Sequence, residues 1–429
     1  MENMQWVDDL DLPADLKTII KNTCPAVEPE WKKIDRITLQ NQSRVLEAFR
    51  EERVAEEDFH ESSGYGYDDA GREKFEKVYA RIFCGDKALV RPHLISGTHT
   101  LSVALFGLLR PGDKLLSITG PPYDTLQMII GKSDGREKAE TGTLAEWGIK
   151  YDELPLDENG YPDLSHLQGK LSADVRVAFI QRSLGYNSSR VALTVEDIKN
   201  ITAAIRKHRP DVAVLVDNCY GEFVETVEPL GEGADVLAGS LIKNPGGGLA
   251  LTGGYLVGKA ALVDRIADRL SAPGLGGHLG AMGTKRYLYM GLFNAPTLVG
   301  NALKSAVFAA KLFAYLGFDT RPAYDGKRGD TVQAITLEDA GLVELFCRTI
   351  QKYSPVGSYL APLPSPVPGY TDPVIMAAGA FIQGASGELS ADAPMREPFT
   401  VFLQGALTIS HALIAICKAA EAVYMACHP

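Results

Sequence analysis

The 429-residue sequence is poor in the features that mark several large classes of protein. It has six cysteines and no CxxC pair, so neither a disulfide scaffold nor a zinc knuckle is predicted. The acidic N-terminal sequence has no apolar segment of the kind that a secretory signal needs. We therefore predict a cytoplasmic protein with reduced thiols. The cysteines are Cys24, Cys84, Cys219, Cys347, Cys417 and Cys427.

An excess of positive charge is also missing. The chain has 43 Lys and Arg residues against 54 Asp and Glu residues, which gives a formal net charge of −11. Because such a surface repels phosphate backbones, no nucleic-acid partner is expected. The best candidate for a membrane segment, residues 401–417, is short and is interrupted by Gln404, Ser410 and His411. It predicts a buried strand and helix, so no membrane partner is expected.

The pattern of apolar residues predicts a chain in three parts. Polar residues with helical spacing predict an N-terminal helical arm over residues 1–60. Over residues 61–300, short apolar runs alternate with amphipathic stretches, which predicts a large α/β domain with a mostly parallel sheet. Residues 301–429 combine a long apolar helix, proline-rich turns and a final helix, and we interpret them as a smaller C-terminal α/β domain.

In a parallel sheet of this type, ligands bind beyond the carboxyl ends of the strands. Asp217 ends the apolar run 213–216, where its carboxylate would pair with a protonated ring nitrogen or a metal ion, or would cap the next turn. Lys243 follows another apolar run and precedes a glycine-rich turn. It would be an amine in a dry pocket that forms a Schiff base with a carbonyl, or a solvated lysine on a turn.

Two further strand ends carry candidate residues. Ser96, Gly97 and Thr98 lie between an apolar run and a helix, which is an arrangement that cradles a phosphate or simply caps the helix. They match neither a nucleotide P-loop nor a dinucleotide-binding motif. His99 lacks partners at metal-ligand spacing, so it is interpreted as a packed or capping residue and no metal site is predicted. Tyr123 follows the next apolar run, where its ring would stack on a planar ligand or pack in the core.

One ligand accounts for all four of these features. Pyridoxal 5′-phosphate needs a phosphate cradle, an aromatic ring against its own ring, a carboxylate at its ring nitrogen and an amine at its aldehyde. Each requirement is matched by a residue that follows a different apolar run. The combination therefore predicts pyridoxal 5′-phosphate as the cofactor.

Longer motifs resemble those of a known family. The segments VDNCYGE and LLRPGDKLL, the latter followed by YDTL, resemble fold-type I pyridoxal-phosphate enzymes of the cystathionine/methionine lyase branch. The segments SGTHT, QRSLGY, GSLIKNPGGGLALTGGY and MREPF are similar to a narrower group, the cystathionine β-lyase-like "aluminium resistance" proteins. This resemblance implies a fold-type I, transferase-like large domain followed by a smaller C-terminal domain.

The resemblance also implies roles for individual residues. Lys243 would bind the cofactor aldehyde and move protons, and Asp217 would keep the pyridine nitrogen charged. Gly97 and Thr98 would give backbone amides to the phosphate. Tyr123 would stack on the ring and assist proton transfer.

Four more residues take roles from the same resemblance. Ser240 would add a hydroxyl to the phosphate site. Arg396 would bind the substrate α-carboxylate through a bidentate fork. Tyr67 or Tyr65, together with Arg72, would reach the phosphate of a neighbouring subunit. The implied assembly is a homotetramer of two dimers that share active sites.

The implied activity is a lyase that acts on a small-molecule, sulfur-containing amino acid, in the manner of cystathionine β-lyase or methionine γ-lyase. Another pyridoxal-phosphate reaction, such as transamination, racemisation or desulfuration, is an alternative, as is a non-catalytic pyridoxal-phosphate-binding stress-response protein. The sequence departs from the family at Leu184, where the family has arginine, and at His278, where it has glutamate. Both departures concern substrate preference.

Overall fold

The computed structural model describes residues 4–132, 141–187 and 189–428, so residues 1–3 of the predicted arm and residue 429 of the predicted C-terminal domain lie outside it. The helices are α1 (Gln5–Asp9), α2 (Ala14–Glu51), α3 (Ala70–Phe83), α4 (Gly97–Leu108), α5 (Asp124–Ile130), α6 (Leu167–Lys170), α7 (Val195–His208), α8 (Ala260–Leu270), α9 (Lys285–Tyr315), α10 (Ala340–Lys352) and α11 (Ile409–Cys427). The strands are β1 (Lys87–Arg91), β2 (Lys114–Ser117), β3 (Lys150–Glu153), β4 (Val175–Gln181), β5 (Ala213–Asp217), β6 (Val236–Ser240), β7 (Gly254–Gly258), β8 (Asp319–Arg321), β9 (Gln333–Thr336), β10 (Val374–Ala377), β11 (Ser390–Pro394) and β12 (Thr400–Gln404).

A seven-stranded sheet forms the centre of the larger part of the chain, in the order β1-β7-β6-β5-β4-β2-β3. The strands from β6 to β3 are parallel to their neighbours, whereas β7 is antiparallel to both β1 and β6. The prediction of a mostly parallel sheet is therefore confirmed. The sequence of β4, VRVAFIQ, shows why these segments form strands, since a β-branched and aromatic run suits a strand that is buried on both faces.

Helices cover both faces of this sheet. Along β5, Val214 and Val216 belong to one apolar cluster, and Leu215 belongs to the cluster on the opposite face, because successive side chains alternate across a strand. Helices α4 and α8 pack together in the second cluster. The start of α7 is fixed by a capping box between Thr194 and Asp197.

A long helix connects the parts of the chain. The predicted helical arm corresponds to α1 and to α2, which packs along α9. Helix α9 is apolar around much of its circumference, as expected for a helix inside a core. The predicted domain boundary at residue 300 lies within α9, so the backbone passes through it without a break.

The C-terminal part is built on a second, antiparallel sheet in the order β10-β11-β12-β9-β8. The apolar stretch 401–417 divides into β12 and the start of α11, as predicted. Among the described residues, α11 is the one helix long and apolar enough to cross a membrane. It packs against α10 and α9, and most of its alanine side chains are buried, as in a core helix.

The parallel strands position the candidate site. Ser117, Gln181, Asp217 and Ser240 are the last residues of β2, β4, β5 and β6. Because these strands run in the same direction, their carboxyl ends meet at one edge of the sheet. The segments that follow them therefore converge there.

Candidate active site

A cavity of about 270 Å³ lies at this edge, and we call it the inner cavity. Residues from seven separate segments of the chain line it, and five of these segments lie at the edge of the sheet where the strand order predicts convergence. It brings together most of the predicted site residues: Gly97, Thr98, Tyr123, Asp217, Ser240 and Lys243. Their roles remain predictions, but the structure places them around one space.

Lys243 follows β6 and is partly buried in the cavity wall. Its Nζ lies 4.0 Å from the centroid of the Tyr220 ring, and no carboxylate of the described residues forms an ion pair with it. Burial disfavours the charged amine, but acidic neighbours, among them Asp217, raise its pKa above the ordinary value. The amine is therefore a cation that the surrounding groups favour electrostatically without a direct partner.

The turn after Lys243 is held rigidly. Gly246 packs so closely on the carbonyl of Leu241 that a Cβ atom would lie 1.7 Å from that oxygen, so only glycine fits. Asn244 is buried and donates from Nδ2 to the Glu222 carbonyl at 3.0 Å. The lysine is thus anchored to the loop that follows β5.

Asp217 is 5% exposed at the end of β5. Its Oδ1 accepts a hydrogen bond from the Cys219 amide at 3.1 Å. Burial raises the pKa of this carboxyl, and the positive charge of Lys243 opposes that rise. A cationic ring nitrogen placed against it would compensate the buried charge.

The start of α4 provides a site for an anion. Ser96 caps the helix, since its Oγ accepts from the His99 amide at 3.0 Å. The first turn of the helix therefore begins at Gly97, which lines the cavity. Ser240 Oγ is buried and has no hydrogen-bond partner among the described residues. A Cβ atom at Gly97 would lie 3.4 Å from the Ser240 Cβ, which shows how closely the two segments approach. Helix amides and an unsatisfied hydroxyl are donors that suit a phosphate.

Tyr123 also lines the cavity, with its hydroxyl close to the start of α4. Its Oη lies 3.1 Å from Thr98 Oγ1, and its amide donates to Gln181 Oε1 at 3.0 Å. Burial raises the pKa of the phenol, so it stays protonated. The donor set, the aromatic ring, the carboxylate and the amine together fit pyridoxal 5′-phosphate.

Arg396 lies outside the inner cavity. It lines an adjoining space of about 380 Å³, the outer cavity, which shares Tyr123, Gln181, Tyr186 and Tyr370 with the inner one. Its Nη1 lies 3.2 Å from Asp372 Oδ2, and its Nη2 donates to the Tyr186 carbonyl at 3.0 Å. The predicted carboxylate-binding residue is therefore near the site and already bonded to an acid of its own chain.

The structure does not bring Tyr67 and Arg72 to the cavity of their own chain. Arg72 is fully buried, and its Nη1 donates to the carbonyls of Gly66 and Gly280 at 2.6 and 2.9 Å. Tyr65 and Tyr67 are 72% and 58% exposed, with ring centroids 5.6 Å apart. Arg72 thus fixes the loop from which the two rings project, and a contact with a neighbouring subunit stays a prediction.

The two departures from the family pattern lie in different places. Leu184 packs against Val332, Ala334 and Phe402 and lines the outer cavity. The His278 carbonyl accepts from Arg72 Nη2 at 3.3 Å, beside a larger cavity of about 590 Å³ between α3, β1 and α8. That larger cavity is lined by none of the residues predicted to be catalytic.

Several residues of the site were not predicted from the sequence. Tyr220 lies under the Lys243 amine, and its place in VDNCYGE, three residues after Asp217, was an available signal. Tyr186 donates its phenol to Asp392 Oδ2 at 2.8 Å and lines both cavities. Tyr370 comes from the proline-rich segment, where no pattern distinguishes a site residue from a turn.

The fold is that of the fold-type I pyridoxal-phosphate-dependent enzymes. The pyridoxal-5′-phosphate-dependent protein YhfS from Escherichia coli matches 90% of this chain and 96% of its own, with a TM-score of 0.59 and 18% identity. At that identity the likeness shows the fold alone. A family model described as methionine gamma-lyase matches residues 16–424, and the chain therefore belongs to this family.

Two relatives are much more similar. A Listeria monocytogenes protein, solved as a candidate cystathionine beta-lyase involved in aluminum resistance, is 46% identical with a TM-score of 0.92, over 95% of this chain and 100% of that one. The uncharacterized protein YnbB of Bacillus subtilis is 45% identical over 410 residues, which are 94% of this chain and 96% of that protein. The resemblance to the aluminium resistance proteins is confirmed.

A buried acid lies behind the site. Glu222 is 0% exposed; its Oε1 accepts from the Tyr255 phenol at 2.8 Å, and its Oε2 has no partner in the described chain. Burial raises the pKa of this carboxyl from 4.5 to about 8. The folded protein therefore holds a proton on Glu222 at pH values where the unfolded chain has lost it.

We expect Glu222→Gln to become more stable than the wild type as pH rises from about 4.5 to about 8. Because the pKa is raised in the folded state, the wild type loses stability over that window, by at most about 1.4 kcal/mol per pH unit, and the neutral amide does not. Urea unfolding at fixed protein concentration measures the difference. Glu158→Gln, at an exposed position, is the control, and a difference that does not change with pH contradicts the assignment.

Proposed function

We propose that this protein is a pyridoxal-phosphate-dependent carbon–sulfur lyase that acts on sulfur-containing amino acids. The observation that carries the proposal is the inner cavity itself. A lysine and a buried carboxylate face one space with the start of a helix and with a serine hydroxyl that has no hydrogen-bond partner among the described residues. The match to the methionine gamma-lyase family and the likeness to the Listeria protein support the same reaction class.

Different residues of the cavity would bind different parts of the cofactor. Gly97, Thr98 and Ser240 would hold the phosphate, Tyr123 would lie against the ring, and Asp217 would hold a proton at the ring nitrogen. When bound through its aldehyde to Lys243, pyridoxal 5′-phosphate supplies an electron sink for carbanion chemistry. The protein would hold the cofactor in position and would supply the charged groups around it.

Lys243 is the group that would move protons. Its amine lines the inner cavity and forms no ion pair with a described residue, so no carboxylate holds it in the protonated form. As a neutral amine, Lys243 would take the proton from the substrate Cα. Tyr220 beneath it favours a cation at this position, since a ring face attracts positive charge.

Arg396 would orient the substrate. Its guanidinium would bind the α-carboxylate, which requires that the bond to Asp372 be exchanged for one to the substrate. Fixing the carboxylate sets which bond of Cα is cleaved. Loss of a thiol from Cβ or Cγ then gives α,β- or α,γ-elimination, and the identity of the keto acid formed distinguishes the two.

The assembly is part of the proposal. We infer a cytoplasmic homotetramer of two dimers that share active sites. The exposed pair Tyr65 and Tyr67, on a loop fixed by Arg72, supports a contact between subunits. All six cysteines are free, which fits a reducing compartment.

Lys243→Ala should lower kcat by at least about 100-fold, because it removes both the cofactor bond and the proton acceptor. Release of thiol and keto acid from a panel of sulfur-containing amino acids measures the loss. Borohydride treatment of the wild type should place a pyridoxyl group on the peptide that contains Lys243. Lys207→Ala, at an exposed position on α7, is the control; a label on another lysine would refute the assignment.

Asp217→Asn should retain the cofactor and lose about 100-fold or more in kcat, since a neutral amide does not keep the ring nitrogen protonated. Cofactor content by absorbance and kcat by product release are measured on the same preparation. Unchanged kcat with full cofactor content would remove the proposed role.

Arg396→Ala should raise KM by about 10- to 100-fold, which is the effect of losing a charge-assisted hydrogen-bond pair. The matched control is Asp372→Ala, which removes the internal acid and leaves the guanidinium, so its KM should stay level or fall. Steady-state kinetics on one substrate compare the three proteins. Equal KM values in Arg396→Ala and the wild type would reassign the carboxylate site.

A further inference from the structure

A further cavity, of about 500 Å³, lies along α4. We call it the side cavity. His99, Ser102 and Phe106 of α4 line it, and their spacing of three and four residues places them on one face of the helix. The other polar and aromatic residues that line it are His93, Trp147 and Arg269. No described residue of the proposed lyase site belongs to this lining, so the side cavity is a separate space.

The side cavity carries a positive charge and, among the described residues, no carboxylate. Arg269 supplies the charge. The larger cavity between α3, β1 and α8 is the opposite, because five acidic residues line it: Glu73, Glu76, Asp86, Asp264 and Asp268. In a chain with a formal net charge of −11, a cavity that contains a cation and no acid favours an anionic ligand.

Arg269 is exposed and is held by two aromatic rings. Its guanidinium carbon lies 5.3 Å from the centroid of the Phe106 ring and 5.4 Å from that of the Trp147 ring, and the two rings pack edge to face. The guanidinium forms no ion pair or hydrogen bond with a described residue. Contacts with ring carbons use none of its N–H groups, so these donors are available to a ligand.

Three more side chains with hydrogen-bond donors line the same space. His99 Nδ1 accepts from the Ile95 amide at 3.3 Å, so the ring carries its proton on Nε2, which has no partner among the described residues. Ser102 adds a hydroxyl. Burial and two neighbouring arginines lower the pKa of His93, so its ring is neutral at pH 7 and offers one N–H group. Four side chains therefore offer donors to one anion.

Two acids adjoin this lining without belonging to it. Glu146 accepts a hydrogen bond from the amide of Gly142, which lines the cavity. Asp268 precedes Arg269 in α8, but it accepts from the Gly274 amide at 3.1 Å and lines the larger cavity. Neither carboxylate forms an ion pair with Arg269. Because the negative charge of Glu146 opposes an anion nearby, its removal should have the opposite effect from removal of Arg269.

We propose that the side cavity binds a phosphate monoester whose organic part is flat and apolar. A phosphate group has three terminal oxygen atoms, so it can accept from the arginine fork, the hydroxyl and the ring N–H groups together, whereas a carboxylate offers two. The volume of the cavity suits an organic phosphate, and its two aromatic rings suit a flat apolar group. This site goes beyond the proposed function and does not depend on it.

Calorimetry on the cofactor-loaded protein tests the proposal, because bound cofactor fills the phosphate site of the inner cavity. The probes are phenyl phosphate, inorganic phosphate and benzoate. Phenyl phosphate should bind more tightly than either of the others by about 10-fold or more, which is the value of one charge-assisted hydrogen bond or of a buried ring. No binding of phenyl phosphate, or equal or tighter binding of benzoate or of inorganic phosphate, would overturn the proposal.

Three variants locate the bound probe. Arg269→Gln should weaken the binding of phenyl phosphate by about 10- to 100-fold. Glu146→Gln, which keeps an oxygen atom for the Gly142 amide, should strengthen it by about two- to five-fold, the size of an exposed charge interaction. Arg36→Gln removes the same charge from an exposed position on α2 and should leave the affinity unchanged. Equal affinities in Arg269→Gln and the wild type would refute the site.

Tryptophan fluorescence provides a second measurement that needs no turnover. Trp147 lines the side cavity, whereas Trp6 and Trp31 lie in α1 and α2. Phenyl phosphate should therefore change the emission of the wild type and not that of Trp147→Phe, which keeps an aromatic ring beside Arg269. A change in emission that persists in Trp147→Phe would place the probe elsewhere and contradict the proposal.

Discussion

The site depends on two opposite charges that are held at the ends of adjacent parallel strands. Asp217 ends β5 and Lys243 follows β6, and the two strands are paired directly. Neither charge is neutralised by an ion pair with a described residue, and a charge removed from water is costly unless something compensates it. A ligand with a cationic ring nitrogen and an aldehyde satisfies both groups at once. The need to compensate these two charges, more than any single contact, explains why pyridoxal 5′-phosphate fits the cavity.

The parallel sheet and the residues at its carboxyl edge were predictable, because each of Asp217, Lys243 and Tyr123 follows an apolar run that reads clearly as a strand. Tyr220 lies in the same motif as Asp217, but its place under the amine depends on a left-handed backbone conformation with φ of +69°, which the motif alone does not give. The predicted boundary at residue 300 stays a prediction, and it falls inside a continuous helix. The apolar periodicity of α9 continues across it without any composition change.

The C-terminal part supplies Tyr370 and Arg396 to the outer cavity. Arg396 was predicted from the family resemblance, whereas Tyr370 was not. Tyr186 belongs to the larger part, yet both of its ends are held from the smaller one: Asp392 accepts its phenol and Arg396 donates to its carbonyl. Burial raises the pKa of Asp392 to about 6. Such contacts join residues far apart in the chain, so no local spacing reports them. Residues of both parts therefore line the outer cavity.

Helix α9 has a consequence for how this chain can be divided. At its N-terminal half, the helix backbone at Gly291 lies so close to the turn after Lys243 that a Cβ atom on Gly247 would lie 2.0 Å from the Gly291 carbonyl oxygen. At its C-terminal half, Phe313 packs on Phe346 of the smaller part, with ring centroids 5.4 Å apart. The single helix α9 therefore contacts both the turn after Lys243 and the C-terminal part of the chain. A gene cut inside this helix would yield two fragments, each missing half of a shared scaffold, and neither would be a self-sufficient module.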